Sequence, residues 1–398
     1  MMRRHPLQVL IALSLATPLA QAESSKTYIV QFYDSAVQSP ARSSQKDARA
    51  FSNPQAWGYV DQRVVERTQT IESRYNVTAQ QAYSQVINGF SAKLTDTQVA
   101  QLKADSSVMA VEEDKVISVS AQTIPWGIST THATLSSTLA GNGSGSVSGV
   151  NVYVIDTGIA AHADLNLVKH VNLSGDAYNY DCNGHGTHVA GTIGAKDDTN
   201  FVVGMAPGVA LTGVKVLTCS GSGTTSSVIK GVDWVTANAV KPAVANMSLG
   251  GSASAMLDAA VQKAVNSGVV FAIAAGNSAV DACTQSPARV GKSVNGAITA
   301  GATDSSDKPA SFSNYGSCVD VWGPGVYITS TYLNGSTATM SGTSMASPHV
   351  AGAAALYLSR YPKATPATVE AALKQAATST GNTDGAGLAI KRLDVTSF

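Results

Sequence analysis

From Val150 onward, short and almost continuously apolar runs alternate with segments of helical spacing, and no other feature of the chain narrows its fold as far. Val150–Ile155, Leu211–Leu217, Ala243–Leu249 and Val269–Ala275 read as strands. His185–Gly194, Ser226–Asn238 and Ala255–Ser267 read as helices, and further helices begin near Ser344 and Pro366. A strand apolar on both faces needs cover on both faces, and strands separated by helices pair in parallel through crossovers. The expectation is an α/β fold of three layers, α/β/α, around a mostly parallel sheet.

The chain ahead of this region is built differently. Thr27–Phe32 reads as a strand, Pro54–Tyr75 as a helix, and Val86–Leu94 as a strand pair around Asn88-Gly89. Thr95–Ala104 opens like a capping box, with Thr95 and Gln98 three apart, and Val108–Val119 is strand-like again. The order βαβ, βαβ fits a small α+β ferredoxin-like sandwich. Before it, Arg3 and Arg4, the apolar run Leu7–Ala16 and Ala20-Gln21-Ala22 read as a signal peptide cut after Ala22. That run is too short to cross a bilayer. The expected divisions are 1–22, 23–120 and 121–398, with a soluble product that is secreted or held in a periplasm and has no membrane partner.

Charge excludes other partners. The chain has 26 basic and 26 acidic residues and is only 13% charged, which leaves no electrostatic footprint for nucleic acid. The four cysteines, Cys182, Cys219, Cys283 and Cys318, suit two disulfides in an oxidising compartment. Four cysteines allow three pairings. Cys182 with Cys219 and Cys283 with Cys318 is preferred because it closes the shorter loops; zinc finds no Cys-x-x-Cys pair or histidine cluster.

Chemistry concentrates in three stretches. Gly342-Thr343-Ser344-Met345-Ala346-Ser347-Pro348-His349 puts a serine at a helix start, where unpaired N–H groups favour a developing anion. Serine is also a common N-cap, so Ser344 needs company before it counts as a nucleophile. Val152–Gly158 ends an apolar strand in Asp156, at the strand end where α/β proteins gather functional groups. Asp181–Gly191 opens a helix with His185 between glycines and His188 three residues on. The zinc-protease helix needs histidines four apart with a glutamate between them, and no glutamate is here. Carboxylate, imidazole and hydroxyl together make a proton relay for nucleophilic catalysis. Their order, Asp156, His185, Ser344, is that of subtilisin, and a Gly-x-Ser-x-Gly elbow, which an esterase or lipase would carry, is missing.

On these stretches, together with Asn246-Met247-Ser248-Leu249-Gly250 and Ala274-Ala275-Gly276-Asn277, the sequence resembles the subtilisin-like serine endopeptidases, on their proteinase K-like branch. The resemblance implies that His185 is the base, His188 a structural partner, and Asn277 an oxyanion donor beside the Ser344 N–H. It implies substrate pairing as an added strand along Ser248, Leu249 and Gly250 and along Ser220, Gly221, Ser222 and Gly223, with Ala275 and Gly276 lining the pocket. No acidic residue stands in the matched pocket segments, so neutral, apolar or aromatic side chains are expected before the cleaved bond. One departure is His162-Ala163-Asp164-Leu165, where the family often has proline second.

The resemblance also makes Ser24–Ser120 an inhibitory propeptide. Val116–Ser120 would lie extended in the groove, with self-cleavage between Ser120 and Ala121. It implies no cofactor for catalysis, but a structural calcium at Asp320 with carbonyls near Asn295 and Ala297. The expected partners are protein and peptide substrates and the chain's own propeptide, and the enzyme is expected to be a monomer. The competing reading outside enzymology is a catalytically silent binding protein that keeps the fold.

Overall fold

The computed structural model describes residues 25–37, 60–84, 86–114 and 122–398. The chain divides into two compact units, Met1–Ile117 and Ser118–Phe398. The signal segment, the strand expected at 116–120 and the Ser120–Ala121 junction lie outside the described residues.

The first unit runs β1 (Lys26–Phe32), α1 (Gln62–Tyr75), β2 (Ala79–Tyr83), β3 (Gly89–Leu94), α2 (Asp96–Lys103) and β4 (Val108–Glu113). Its sheet has the order β2-β3-β1-β4 with every pairing antiparallel. Val30, Phe32, Ile71, Phe90, Leu94 and Leu102 form its core between sheet and helices. Helix α1 starts at Gln62 because Asp61, in extended backbone, accepts the Arg63 N–H at 2.9 Å; residues 54–59 are outside the described part. At α2, Thr95 accepts from Gln98 N at 3.3 Å and Gln98 Oε1 accepts from Thr95 N at 3.0 Å, a closed capping box. Val86–Leu94 is not a hairpin: only Gly89–Leu94 is a strand, lying between β1 and β2. Strand β2 escaped sequence reading because its Gln80 and Gln81 break the alternation.

The second unit begins with α3 (Trp126–Thr130), β5 (Asn151–Asp156), β6 (Leu167–Asn172), α4 (His185–Gly194), β7 (Ala210–Lys215), α5 (Thr225–Asn238) and β8 (Ala243–Met247). It continues through β9 (Gly251–Ser252), α6 (Ala255–Asn266), β10 (Val269–Ala274), β11 (Gln285–Ser286), β12 (Ala297–Thr303) and β13 (Val321–Pro324). The hairpin β14 (Ile328–Tyr332) and β15 (Ser336–Met340), helices α7 (Thr343–Arg360) and α8 (Pro366–Ala376), and strands β16 (Thr378–Thr383) and β17 (Ala389–Arg392) complete it. The main sheet has the order β16-β17-β13-β12-β10-β8-β5-β7-β6, parallel throughout except where edge strand β16 meets β17.

Alternation along the strands sorts the apolar side chains onto two faces. Val152, Val154, Val270 and Ala272 pack with Val189, Ile193 and Val350 on one side. Tyr153, Ile155, Phe271 and Ile273 pack with Val232, Val235 and Val261 on the other. The result is the three-layer arrangement, with α4 and α7 on one face and α5 and α6 on the other. Strand β12 was not legible because it is Ala-Ile-Thr-Ala-Gly-Ala-Thr. A Cβ at Gly301 would press on the Trp322 ring, so packing against an indole, not strand propensity, set its composition.

Two features of this topology position the site. From β5 the chain first fills the β7–β6 side, then reverses to β8 and beyond, so the end of β5 is a switch point where crossovers part and open a crevice. Helix α7 is buried from Thr343 to Leu358 at all but Ser344 and Tyr357, which its alanines and glycine permit. It enters the core with its first turn under that crevice.

Candidate active site

Asp156 is the last residue of β5 and is wholly buried. Its Oδ1 accepts the Thr157 N–H at 2.7 Å and the His185 Nδ1–H at 2.7 Å; Oδ2 has no hydrogen-bond partner among the described residues. With Nδ1 donating to the carboxylate, Nε2 of neutral His185 is the acceptor nitrogen. His185 is the first residue of α4, after Gly184 at φ +102°, where any side chain would also overlap the Tyr332 ring.

A second buried carboxylate fixes this helix start. Oδ1 of Asp181 accepts from Thr157 Oγ1, Asn183 N and Gly184 N, each at 2.9 Å. Its Oδ2 takes Thr187 N at 2.9 Å and Thr187 Oγ1 at 2.6 Å, while Gly186 N donates to Thr157 Oγ1 at 2.9 Å. The end of β5 and the first turn of α4 are thereby one hydrogen-bonded body. Burial of the His185 ring opposes its charge, but the Asp156 carboxylate, by charge and hydrogen bond, and the charge of Asp181 outweigh it. They hold the imidazolium above the ordinary histidine pKa. His188, buried on the same helix, is bonded to the carbonyls of Ile328 and Ala338, and burial lowers its pKa to about 4.

Ser344 is the second residue of α7. Pro348, four residues on, has no N–H, so the carbonyl of Ser344 lacks its helical donor. The Ser248 hydroxyl supplies one at 2.8 Å, and the Ser344 hydroxyl donates back to the Ser248 carbonyl at 3.1 Å. Asn246 supports this clamp by donating to Ser248 Oγ at 2.9 Å and accepting from Ser347 Oγ at 2.8 Å. In this state the Ser344 hydroxyl is bonded to Ser248 and not to His185.

Asn277 is aimed by its neighbour in space. Its Oδ1 accepts both Thr343 N and Thr343 Oγ1 at 2.8 Å, and Thr343 Oγ1 accepts Gly276 N at 3.0 Å. That occupies the amide oxygen and leaves Nδ2 to face the cleft. A Cβ built on Gly342 would lie 3.4 Å from Asn277 Nδ2 and 3.5 Å from Ser344 N, so the two donors converge on one small space beside the hydroxyl. Thr343 and Asp181 were not singled out from sequence, although both lie inside the stretches quoted there.

His185, Asn277 and Ser344 line one cleft of about 1130 Å³, with Gly221, Ser222, Gly223, Ser248, Leu249 and Gly250. Among the described residues, the imidazole is the only titratable side chain on its wall. Ser220, Ala275 and Gly276 stand outside the lining. Ser220 lies in a turn with its hydroxyl bonded to Thr218 and Ser222, while Ala275 is fully buried behind Asn277. Residues 220–223 are not a strand, since Gly221 sits at φ +78° in that turn.

Disulfides join Cys182 to Cys219 and Cys283 to Cys318, and no cysteine is free. Asp320 does not fit a calcium ligand. Its Oδ1 accepts the Lys374 ammonium at 2.7 Å, its Oδ2 accepts Thr299 N at 2.9 Å, and Lys374 also reaches Glu370 at 3.1 Å. A cation is already built into this cluster from the chain itself, and calcium wants several free oxygens.

Residues 147–392 match the subtilase family, and residues 27–120 match the peptidase inhibitor I9 family. The chain is 44% identical to an alkaline serine exoprotease A of Vibrio alginolyticus over 364 residues, 88% of this chain and 65% of that protein. It therefore spans a little under two thirds of that relative's length. It is 48% identical to an extracellular serine proteinase of Thermus sp. (strain Rt41A), over 74% of this chain and 72% of that one. The crystal structure of a cold adapted subtilisin-like serine proteinase superposes with a TM-score of 0.58 at 51% identity, covering 62% of this chain and 89% of that one. With its family match, its parallel sheet and an I9 unit ahead of it, the chain belongs to the subtilase family of serine proteinases.

Proposed function

We propose that the chain is a secreted serine endopeptidase in which Ser344 is the nucleophile, His185 the general base, Asp156 its orienting carboxylate and Asn277 an oxyanion donor. The observation that carries this reading is the 2.7 Å bond from His185 to Asp156 on the cleft that Ser344 and Asn277 also line. The Ser344 hydroxyl turns from the Ser248 carbonyl to His185 Nε2, gives up its proton there and attacks the peptide carbonyl carbon. The resulting oxyanion meets Asn277 Nδ2 and the Ser344 N–H. Imidazolium then protonates the leaving amine, and a water activated by the same nitrogen releases the acyl group. Every proton moved in the cycle passes through Nε2, so the chemistry needs no cofactor.

Backbone pairing along Ser248–Gly250 and Gly221–Gly223 reads no side chain, which gives broad specificity. A cleft wall without carboxylates among the described residues favours neutral, apolar or aromatic residues before the cleaved bond. By this reading residues 1–22 are the signal, 23–120 an inhibitor matured away by self-cleavage near Ser120, and 121–398 a monomeric enzyme. The I9 match and the extracellular Thermus relative support it.

Casein digestion by wild type and Ser344→Ala tests the chemistry. Wild type should yield internal fragments and Ser344→Ala none; equal digestion by both would sink the assignment. N-terminal sequencing of the active form should read from near Ala121, and a peptide library preferring Lys or Arg before the cut would refute the specificity.

A further inference from the structure

The hairpin β14–β15 makes an unusual set of bonds to the helix that carries His185. Three consecutive side chains of β14 donate their hydroxyls to carbonyls of that segment: Ser330 to His188 at 2.8 Å, Thr331 to Thr187 at 2.8 Å, and Tyr332 to Asn183 at 3.0 Å. The His188 ring returns the contact to the carbonyls of Ile328 and Ala338, one from each strand. Ser330 and Thr331 are buried, and Gly191 faces them because a Cβ there would overlap both hydroxyls. The Tyr332 ring covers Gly184, the residue that opens α4 without a side-chain cap.

The other end of the hairpin leads to the nucleophile. Ile328 pairs with Met340, and Ser341, Gly342 and Thr343 are all that separate Met340 from Ser344. Tyr327 N donates to Ser341 Oγ and Gly342 N to the Gly325 carbonyl, both at 2.8 Å, which closes the base of the hairpin just before α7. One short, cross-braced element thus grips the start of α4 and delivers the start of α7. His185 and Ser344 are 159 positions apart (344 − 185), and their side chains share no hydrogen bond in this state.

We propose that Ser330, Thr331 and Tyr332 are positioning residues, and that the hairpin is the strut fixing the base at its working distance from the nucleophile. This rests on His185 and Ser344 having the roles given above. Proton transfer tolerates little misplacement, and an error of about 1 Å from a change remote from the chemistry can cost on the order of 100-fold in rate. None of the three hydroxyls lines the cleft, so their loss should leave substrate binding alone.

The test compares Ser330→Ala/Thr331→Val/Tyr332→Phe and Tyr332→Phe alone with wild type, in kcat, KM and the rate at which a fluorophosphonate labels Ser344. The helical carbonyls of Thr187 and His188 keep their N–H donors in these variants, and the Asn183 carbonyl, which Tyr332→Phe deprives of its hydroxyl donor, is only part-buried, so no fully buried group is orphaned. The triple variant should lose on the order of 10-fold in kcat with KM within about twofold, labelling should slow in parallel, and Tyr332→Phe should lose less. Thr331→Ser, which keeps its hydroxyl, should behave as wild type. So should Thr329→Val/Thr339→Val, which removes the exposed cross-strand hydroxyl pair of the same hairpin. A folded triple variant with wild-type kcat and labelling rate overturns the inference, as does an equal loss in the Thr329 and Thr339 control. Failure of wild type itself to label removes the role of Ser344, and the inference with it.

Discussion

Ser248 and Ser344 hold each other by a reciprocal pair of hydrogen bonds, each hydroxyl donating to the other's backbone carbonyl, at 2.8 and 3.1 Å. The first bond exists because Pro348 cannot donate to the Ser344 carbonyl. Ser248→Ala should therefore cost about 1–3 kcal/mol by leaving that carbonyl without a donor. Adding Pro348→Ala, which restores a backbone N–H, should recover part of the loss. Urea unfolding in a Ser344→Ala background, which prevents self-digestion, measures the cycle; strictly additive single effects would remove the proposed coupling.

The Asp156 carboxylate sets both the tautomer and the basicity of His185. Below its pKa the ring is charged and cannot take the Ser344 proton, so kcat/KM should fall with acid through a value above the ordinary histidine value of 6.5. Asp156→Asn should lower kcat by about 10⁴-fold and move that acid limb to lower pH. The stability sign is the reverse. A raised folded pKa makes the charged His185 stabilising at low pH, and that contribution disappears as pH rises through the raised value. A pH–rate profile checks the first part and pH-dependent unfolding of Ser344→Ala the second.

Asn277→Ala removes one of two donors converging beside the nucleophile. Turnover should drop by about 10²- to 10³-fold with KM little changed, a range known for the corresponding donor in subtilisin itself. Thr343→Val should reproduce part of the loss, because Thr343 Oγ1 is one of the donors that aim the amide. A steady-state comparison that finds the loss in KM instead would count against the oxyanion role.

The cluster of Asp320, Lys374 and Glu370 already contains its cation. Asp320→Asn should leave the response of the thermal midpoint to calcium and chelator unchanged. Lys374→Met should cost roughly 1–2 kcal/mol, less than a fully buried pair because the ammonium is 44% exposed. It also brings two nearly buried carboxylates together without compensation. Added calcium should then restore stability to Lys374→Met, which thermal melts with and without chelator would reveal.

His349 is wholly buried in α7, with Nδ1 donating to the Met345 carbonyl at 2.8 Å and Nε2 without a hydrogen-bond partner among the described residues. Burial lowers its pKa to about 4. Its neutral form therefore contributes stability above the unfolded value of 6.5, lost as pH falls toward 4. Burial raises Asp164 to about 7, which acts in the opposite sense, so the comparison must be between variants. The stability of wild type relative to His349→Gln should fall by roughly 3 kcal/mol between pH 7 and 4. A flat difference across that range would contradict it.

Much of this was legible because the residues at issue are local. The apolar runs at Val150–Ile155 and Val269–Ala275 and the helix His185–Gly194 follow from period and composition within a few residues. Elements made by distant partners were not legible. Strand β12 is Ala- and Gly-rich because Trp322 lies on it, and Ser220 turns away because Thr218 and Ser222 hold its hydroxyl. The ammonium beside Asp320 was not legible for a similar reason, since Lys374 is 54 positions away in the chain.

The sequence by itself determined the chemical types and their order: a carboxylate ending an apolar strand, an imidazole and a hydroxyl each opening a helix, and cysteines enough for two bridges. Those properties depend on neighbours along the chain, which a sequence displays directly. Only the tertiary structure decided that Ser248 caps the carbonyl freed by Pro348, that Thr343 turns the Asn277 amide toward the cleft, and that β14 grips the start of α4. Each is a hydrogen bond of fixed direction and length between segments far apart in the chain. Such bonds exist only once the sheet and its two helical layers have brought the partners within 3 Å or so.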